Sequence, residues 1–438
     1  GRVAVTRASA RRLPRARFAA GRAEDFGHPG APMTTTAPSA ADPAAAGSPG
    51  DLPAAVLRSS PADFVVEELP AYAPSGRGEH VFVTFRKTGR NTPDAVRAIA
   101  LALGADPGST GFAGMKDRHA ITTQTASIQL PLARDPAPLL EKAELPGIEI
   151  LAVARHDNKL KPGHLVGNRF RITLRGIDAS ALPLAERRLA EIGRVGVPNA
   201  FGPQRFGRDG GNPERALAWI AGRERGPRDK REQRLLFSAL QSRWFNEVLA
   251  RREADGTWST VLPGDLAKKR DSGGLFLVPL EGPELADAEA RAAALAISPT
   301  GPMFGRKMRW PEGAPGALEL EVLTAAIGDP RRLDAFAHAG EGTRRPLRLE
   351  VDGLEVCAAG PSAGEADARG AGDPAAGQGI VVSFVLPKGG YATTVLGRVF
   401  RLVDASAPQP STGRPGATGA PAPEEEDAVD EGQPGAAP

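Results

Sequence analysis

The 438-residue sequence has little cysteine, histidine or aromatic residue, and each shortage excludes a class of protein. Its only cysteine is Cys357, so an internal disulfide and a cysteine-based zinc site are both impossible. The six histidines are scattered and form no His-x-x-x-His pair, so no catalytic metal is expected. No apolar run approaches the ~20 residues that cross a membrane. The P-loop and dinucleotide-binding fingerprints are also missing.

Basic and acidic residues are also nearly balanced in number. There are 55 basic and 52 acidic residues, which gives a formal net charge of +3. This balance excludes a histone-like composition. It leaves a nucleic-acid binder open, because a local basic face can exist within a balanced total.

Glycine and proline are abundant, at 52 and 41 residues, but they are unevenly spread. Three stretches are rich in small and polar residues and cannot bury enough apolar area to fold. We expect a disordered, low-complexity N-terminal extension over 1–51 and a disordered acidic tail over 404–438. We expect 359–378 to be a flexible surface loop between two strands of one sheet.

The first 32 residues carry seven arginines and precede Met33. They lack the apolar segment of a secretory signal. An organellar transit peptide is one interpretation. We favour upstream translated sequence with Met33 as the native start, and we therefore expect a cytoplasmic protein.

Strand and helix patterns fill the remainder of the chain. Strand-like alternation dominates 52–197 and returns over 346–403, whereas helical periodicity marks much of 198–345. A final helix is predicted over about 390–402. This order predicts an α+β fold with a mainly antiparallel sheet, whose chain is interrupted by an inserted domain at 198–345.

One predicted strand has a cationic side. Phe170, Ile172 and Leu174 alternate with three arginines, and alternate residues of a strand point to opposite faces. The strand therefore has an apolar face and an opposite basic face, and the basic face suits contact with an RNA backbone. The plainer interpretation is that these arginines are simply exposed to solvent. The predicted backbone contacts are Arg169, Arg171, Arg175 and, just upstream, Lys159 and Lys161.

The most informative stretch is GFAGMKDRHAIT, residues 111–122. It places one acid, Asp117, in a polar turn among Lys116, Arg118 and His119. A positioned, ionised aspartate can serve as a nucleophile or a base. No second carboxylate, serine or cysteine in the turn suggests a glycosidase pair or an acyl-transfer triad.

Six motifs in this order resemble the TruD family of tRNA pseudouridine synthases, over about residues 60–402. The motifs are DFVVEE (63–68), GEH (78–80) with NT (91–92), FAGMKDRHA (112–120), GNRF (167–170), VPNAFGPQRFG (197–207) and LPKGGYATT (386–394).

The resemblance implies an isomerase that converts uridine 13 of tRNA to pseudouridine without metal or cofactor. It implies that Asp117 is catalytic and that Phe64, Asn168 and Tyr391 hold the target nucleotide. Tyr391 departs from the family's more common phenylalanine but keeps a stacking face. By the same resemblance, Phe170 falls where other pseudouridine synthases place a tyrosine beside the base. We expect Lys116 to tune Asp117 or to meet a phosphate of the substrate, and a structural role is the alternative. The implied partner is tRNA, with no membrane and no protein partner, and we expect a monomer whose inserted TRUD domain helps to clamp the tRNA.

Two other functions stay open at this point. A catalytically silent RNA-binding protein would keep the arginine face and tolerate loss of Asp117. A metal-free hydrolase of a nucleoside or glycoside would need a second acid near Asp117, and Glu67 and Glu68 are the available candidates.

Overall fold

The computed structural model describes residues 52–177, 179–207, 209–359 and 379–406. The predicted extension over 1–51, nearly all of the predicted loop 359–378 and most of the predicted tail lie outside the described residues. In the described part, no helix combines the length and apolarity that a membrane span requires.

The strands, in chain order, are β1 (Ala54–Leu57), β2 (Phe64–Pro70), β3 (His80–Thr88), β4 (Gly111–Phe112), β5 (Ile121–Gln129), β6 (Ile148–His156), β7 (Leu165–Arg175), β8 (Val197–Pro198), β9 (Leu266–Lys269), β10 (Leu275–Leu277), β11 (Ile297–Met303), β12 (Thr343–Pro346), β13 (Arg348–Leu349), β14 (Asp352–Ala358), β15 (Gly379–Pro387) and β16 (Arg401–Asp404). The α-helices are α1 (Thr92–Ala102), α2 (Ala137–Glu141), α3 (Leu182–Val195), α4 (Asn212–Ile220), α5 (Lys230–Ala254), α6 (Pro283–Ala293), α7 (Gly313–Ile327) and α8 (Ala392–Leu396).

A ten-stranded sheet forms the larger layer, with the order β14-β15-β7-β2-β5-β3-β6. Strand β4 pairs with β5, and β1 joins β16 to β7. The β2–β5 and β1–β16 pairs are parallel, and the remaining pairs are antiparallel. The expected mainly antiparallel α+β fold is confirmed.

Alternation along the central strands decides which side of this sheet is buried. In β7, Phe170, Ile172 and Leu174 are buried, whereas Arg169 and Arg171 are exposed. Helices α3 and α8 pack on the buried side through apolar residues, and α1 does so beside β3 and β5. The large sheet therefore has one helix-covered face and one face that carries most of its exposed charges.

A second, four-stranded sheet has the order β10-β9-β11-β12. All of its strands come from residues 266–346, and it packs with α4–α7 around separate apolar clusters. The division of the chain at residues 198 and 345 remains a prediction. The short β8–β13 pair joins the segments that lead into and out of this region.

The predicted final helix over 390–402 is wrong beyond its first turns. Helix α8 ends at Leu396, and Arg401–Asp404 form β16, which pairs in parallel with β1. Pairing with a strand more than 340 residues away overrides local helical propensity, and no local pattern reports such a partner.

A buried ion pair anchors α7 to the second sheet. Both carboxylate oxygens of Glu319 accept bonds from the Arg344 guanidinium at 2.7 Å, and both side chains are almost fully buried. Arg344 also donates to the carbonyl and hydroxyl oxygens of Thr300. Burial raises the pKa of Glu319, and the bonds from Arg344 oppose that rise.

Replacing Glu319 with Gln is therefore expected to lower the free energy of unfolding by about 3–5 kcal/mol, because the Arg344 charge would stay buried without its counterion. Urea denaturation followed by circular dichroism measures this loss. The matched control is Glu321→Gln on the same helix, which breaks an exposed pair with Arg251 and should cost under ~1 kcal/mol. Equal losses in the two variants would contradict this account.

Candidate active site

Asp117 lies in the loop 113–120, which connects β4 to β5 and forms neither helix nor strand. The loop is held at both sides of the aspartate. The Lys116 backbone N–H donates to Thr92 Oγ1 at 2.9 Å, and Ala120 is fully buried in the core beneath β2 and β7. These anchors place Asp117 on the helix-covered side of the large sheet.

Each oxygen of the Asp117 carboxylate has a donor. Arg58 lies 2.7 Å from Oδ2, and the His119 backbone N–H donates to Oδ1 at 2.9 Å. The Asp117 side chain is 30% exposed and that of Arg58 is 13% exposed. Ionised partners make such bonds short and strong, so the carboxylate is oriented while one side of it remains open to solvent.

Arg58 is the residue of this site that the sequence did not reveal. It follows β1 with a positive φ of 58°, an uncommon conformation for a residue with a side chain. Its guanidinium also pairs with Asp404 at 2.5 Å and lies 4.4 Å from the centre of the Phe64 ring. A lone arginine at the end of a short strand carries no local signal, because its partner lies 59 positions along the chain.

The two predicted phenylalanines are brought together, but inside the core. Phe64 is 4% exposed and meets Phe170 edge-on, with ring centres 6.2 Å apart. Phe170 in turn stacks on Phe384 at 5.5 Å. Phe64 therefore lies between the Arg58 guanidinium and the stacked pair of Phe170 and Phe384.

Lys116 turns away from its neighbour Asp117. Its ammonium pairs with Glu68 at 2.7 Å, and both side chains are nearly buried. Glu68 also accepts from the Thr125 backbone N–H. Contact between Lys116 and a substrate would require this ion pair to break.

Asn168 is linked to the Asp117 loop through Glu68, its cross-strand neighbour on β2. Its side-chain oxygen is buried, and no group among the described residues donates to it. An unsatisfied buried acceptor costs about 1–3 kcal/mol, and a donor on a ligand would recover that loss. The N3–H of a uracil is such a donor.

Tyr391 stands at the start of α8 and is 40% exposed. It follows the turn 387–390, which leaves β15 at the end where β15 pairs with Gly167 of β7. Arg345, from the end of the second sheet, donates to the Gly389 carbonyl. Tyr391 and Asn168 therefore lie at the same end of the large sheet.

Two of the three arginines on the predicted cationic face of β7 are paired with acids, so this face is less cationic than the sequence suggested. Arg169 pairs with Glu67 at 2.6 Å, and Arg175 forms a bidentate pair with buried Asp63. Both acids come from or adjoin β2, so the strand sequence alone could not show them. Arg171 is exposed and has no ion pair among the described residues.

These arginines also lie on the opposite side of the sheet from the neighbouring Asn168, because strand residues alternate between faces. One stretch of strand therefore cannot present Asn168 and Arg169 to the same nucleotide. Contact of Arg169, Arg171 and Arg175 with RNA remains a prediction.

Lys159 and Lys161 lie in the loop 157–164, which leads into β7. Lys159 is half-buried and Lys161 is exposed. Burial lowers the pKa of the neighbouring His164, and Lys161 and Lys388 lower it further. Lys161 and Lys388 thus place positive charge near the end of the sheet that carries Asn168 and Tyr391.

No cluster of three or more potential metal ligands occurs in the part of the chain that the structure describes.

Comparisons with known proteins agree on one family. The family model described as tRNA pseudouridine synthase D (TruD) matches residues 53–216 and 229–399. The tRNA pseudouridine synthase D of Anaeromyxobacter sp. (strain Fw109-5) is 43% identical over 351 residues, which cover 78% of this chain and 90% of that protein. The one from Thermus thermophilus is 40% identical over 347 residues, covering 79% and 88%. A solved TruD structure from Methanosarcina mazei matches with a TM-score of 0.63 and 25% identity, covering 80% of this chain and 94% of that one.

The arginine pairings of β7 predict different stabilities for two similar variants. Arg175→Met should lower the free energy of unfolding by about 3 kcal/mol, because it leaves the buried Asp63 carboxylate without its cation. Arg171→Met, on the same strand, removes an exposed charge and should change stability by under ~0.5 kcal/mol. Chemical denaturation of both variants tests this, and equal stabilities would contradict the structural role of Arg175.

Proposed function

Because this chain belongs to the TruD family of tRNA pseudouridine synthases, we propose that it converts uridine 13 of tRNA to pseudouridine, with Asp117 as the reacting carboxylate. The observation that carries the proposal is the arrangement around Asp117. Its two oxygens are oriented by Arg58 and by the His119 N–H, while almost a third of the side chain stays accessible.

The isomerisation requires one bond to break, one bond to form and one proton to move. The N1–C1′ bond breaks, the uracil turns over, and a C5–C1′ bond forms. The proton on C5 is lost and N1 gains one, so the product has the same atoms as the substrate. The reaction therefore needs a nucleophile and proton transfer but no redox or group-transfer cofactor.

Asp117 could serve by adding to the uracil ring or by attacking the sugar at C1′. A carboxylate can do either, and both routes need it held at a fixed distance from the nucleotide. The Arg58 pair supplies that constraint in both cases.

The base must leave the folded RNA to reach Asp117. We infer that the Asn168 side-chain oxygen accepts from uracil N3–H, because that oxygen is buried and unpartnered. Exposed Tyr391 offers a face for stacking, worth ~1–3 kcal/mol per base in single-strand binders. Phe64 contributes by packing against the Arg58 guanidinium, and Phe170 packs in turn against Phe64.

We also propose that the protein acts in the cytoplasm as a monomer, with tRNA as its partner. Lys161 and Lys388 are the residues that would contact the RNA beyond the target base. The predicted inserted domain over 198–345 would then help to clamp the tRNA.

Asp117→Asn tests the reacting group directly. The variant keeps the shape and the hydrogen bond from His119 but loses the charge, and pseudouridine formation at position 13 of a tRNA transcript should fall below detection. Carbodiimide-based primer-extension stops locate the product. Wild-type rates in Asp117→Asn would exclude Asp117, product at another position would refute the substrate assignment, and release of free uracil would indicate a hydrolase.

Arg58→Met tests the orientation of the carboxylate. We expect the single-turnover rate to fall about 10²-fold with little change in tRNA affinity, because a small misplacement of a reacting group has this effect. Arg97→Met, which removes an exposed arginine on α1, is the control and should react as the wild type does. An unchanged rate in Arg58→Met would show that Asp117 does not depend on this pair.

A further inference from the structure

Lys87, near the end of β3, is a buried lysine with no place in the chemistry described so far. Its side chain points to the helix-covered side of the large sheet and is 0% exposed. Removing an ammonium from water is costly unless its donors are satisfied. Hydrogen bonds to its surroundings must therefore compensate for the lost hydration.

Three backbone carbonyls surround the Lys87 ammonium. It donates to Arg90 O at 2.7 Å, to Asp117 O at 2.8 Å and to Lys116 O at 3.2 Å. An ammonium has three donors, so the set is complete. Two of the three acceptors belong to the loop that carries Asp117.

We propose that Lys87 is a positioning residue for Asp117, whose backbone it fixes through the carbonyls of residues 116 and 117. The inference builds on the proposed function, since it gives Asp117 its fixed place. Arg58 and His119 orient the carboxylate, and Lys87 fixes the peptide from which the carboxylate extends. A lysine that merely closed the turn after β3 would bond Arg90 and leave the loop alone.

The charge of Lys87 responds to pH in an accessible range. Burial lowers the pKa of Lys87 to about 8, the Asp117 carboxylate opposes the shift, and the Lys116 ammonium adds to it. Above that pH the neutral amine has two donors for three carbonyls. The loop should then lose a tether, and the reaction should slow as pH rises through about 8.

Lys87→Met tests the proposal, since it keeps the length of the side chain and removes its donors. We expect the single-turnover rate of pseudouridine formation to fall about 10²-fold, with tRNA affinity within about twofold of the wild type. The decline above pH 8 should disappear in the variant. Lys142→Met, at an exposed lysine, is the matched control and should keep both the rate and the pH profile.

Hydrogen exchange separates this inference from the proposed function. In the absence of tRNA, the amides of 113–120 should exchange faster in Lys87→Met than in the wild type, while those of β5 stay protected. Unchanged exchange in the loop would overturn the inference, whether or not the chain makes pseudouridine. A wild type that makes none would overturn the proposed function alone.

Chemical rescue distinguishes loss of the Lys87 ammonium group from misfolding of the variant. Lys87→Ala leaves space for a small alkylammonium ion, and n-propylammonium, which matches the deleted Cγ, Cδ, Cε and Nζ atoms, should restore activity with saturation. Tetramethylammonium has the same charge but no N–H donors and should restore none. Equal rescue by both ions, or an affinity loss that matches the rate loss, would refute positioning by these hydrogen bonds.

Discussion

The ion pair between Arg58 and Asp117 is the constraint on which the site depends. Asp117 sits in a loop without regular structure, so the fold must supply its geometry from outside. It does so by bringing the end of β1 over Phe64, where Arg58 adopts an uncommon backbone conformation and pairs with Asp117 and Asp404. The parallel β1–β16 pair fixes both ends of that arrangement.

The two faces of the large sheet carry different charged side chains, which are buried on one face and exposed on the other. On its helix-covered side, buried pairs such as Lys116–Glu68 and the tethered Lys87 organise the loop around Asp117. On the other side, Arg169 and Arg171 are exposed beside Glu67. We therefore propose that RNA binds at the end of the sheet near Asn168 and Tyr391, where Lys161 and Lys388 lie.

Local patterns predicted what depends on local sequence. The alternation in β7 and the position of Asp117 in a turn both follow from residue spacing, and six motifs identified the family. Arg58, Asp63 and β16 could not be predicted, because each acquires its role from a partner far along the chain. The edge-on contact of Phe64 with Phe170 likewise joins residues of two strands that lie far apart in the chain.

Arg58 and Lys87 should both act on the rate through the Asp117 carboxylate. A double-mutant cycle of Arg58→Met and Lys87→Met, measured as single-turnover rates, tests it most directly. If both residues act by placing Asp117, the first substitution displaces the carboxylate, and the second should then lower the rate much less. The double variant should therefore react faster than the product of the two single-variant rate losses predicts. Losses that multiply fully would show that the residues act independently and would contradict the account.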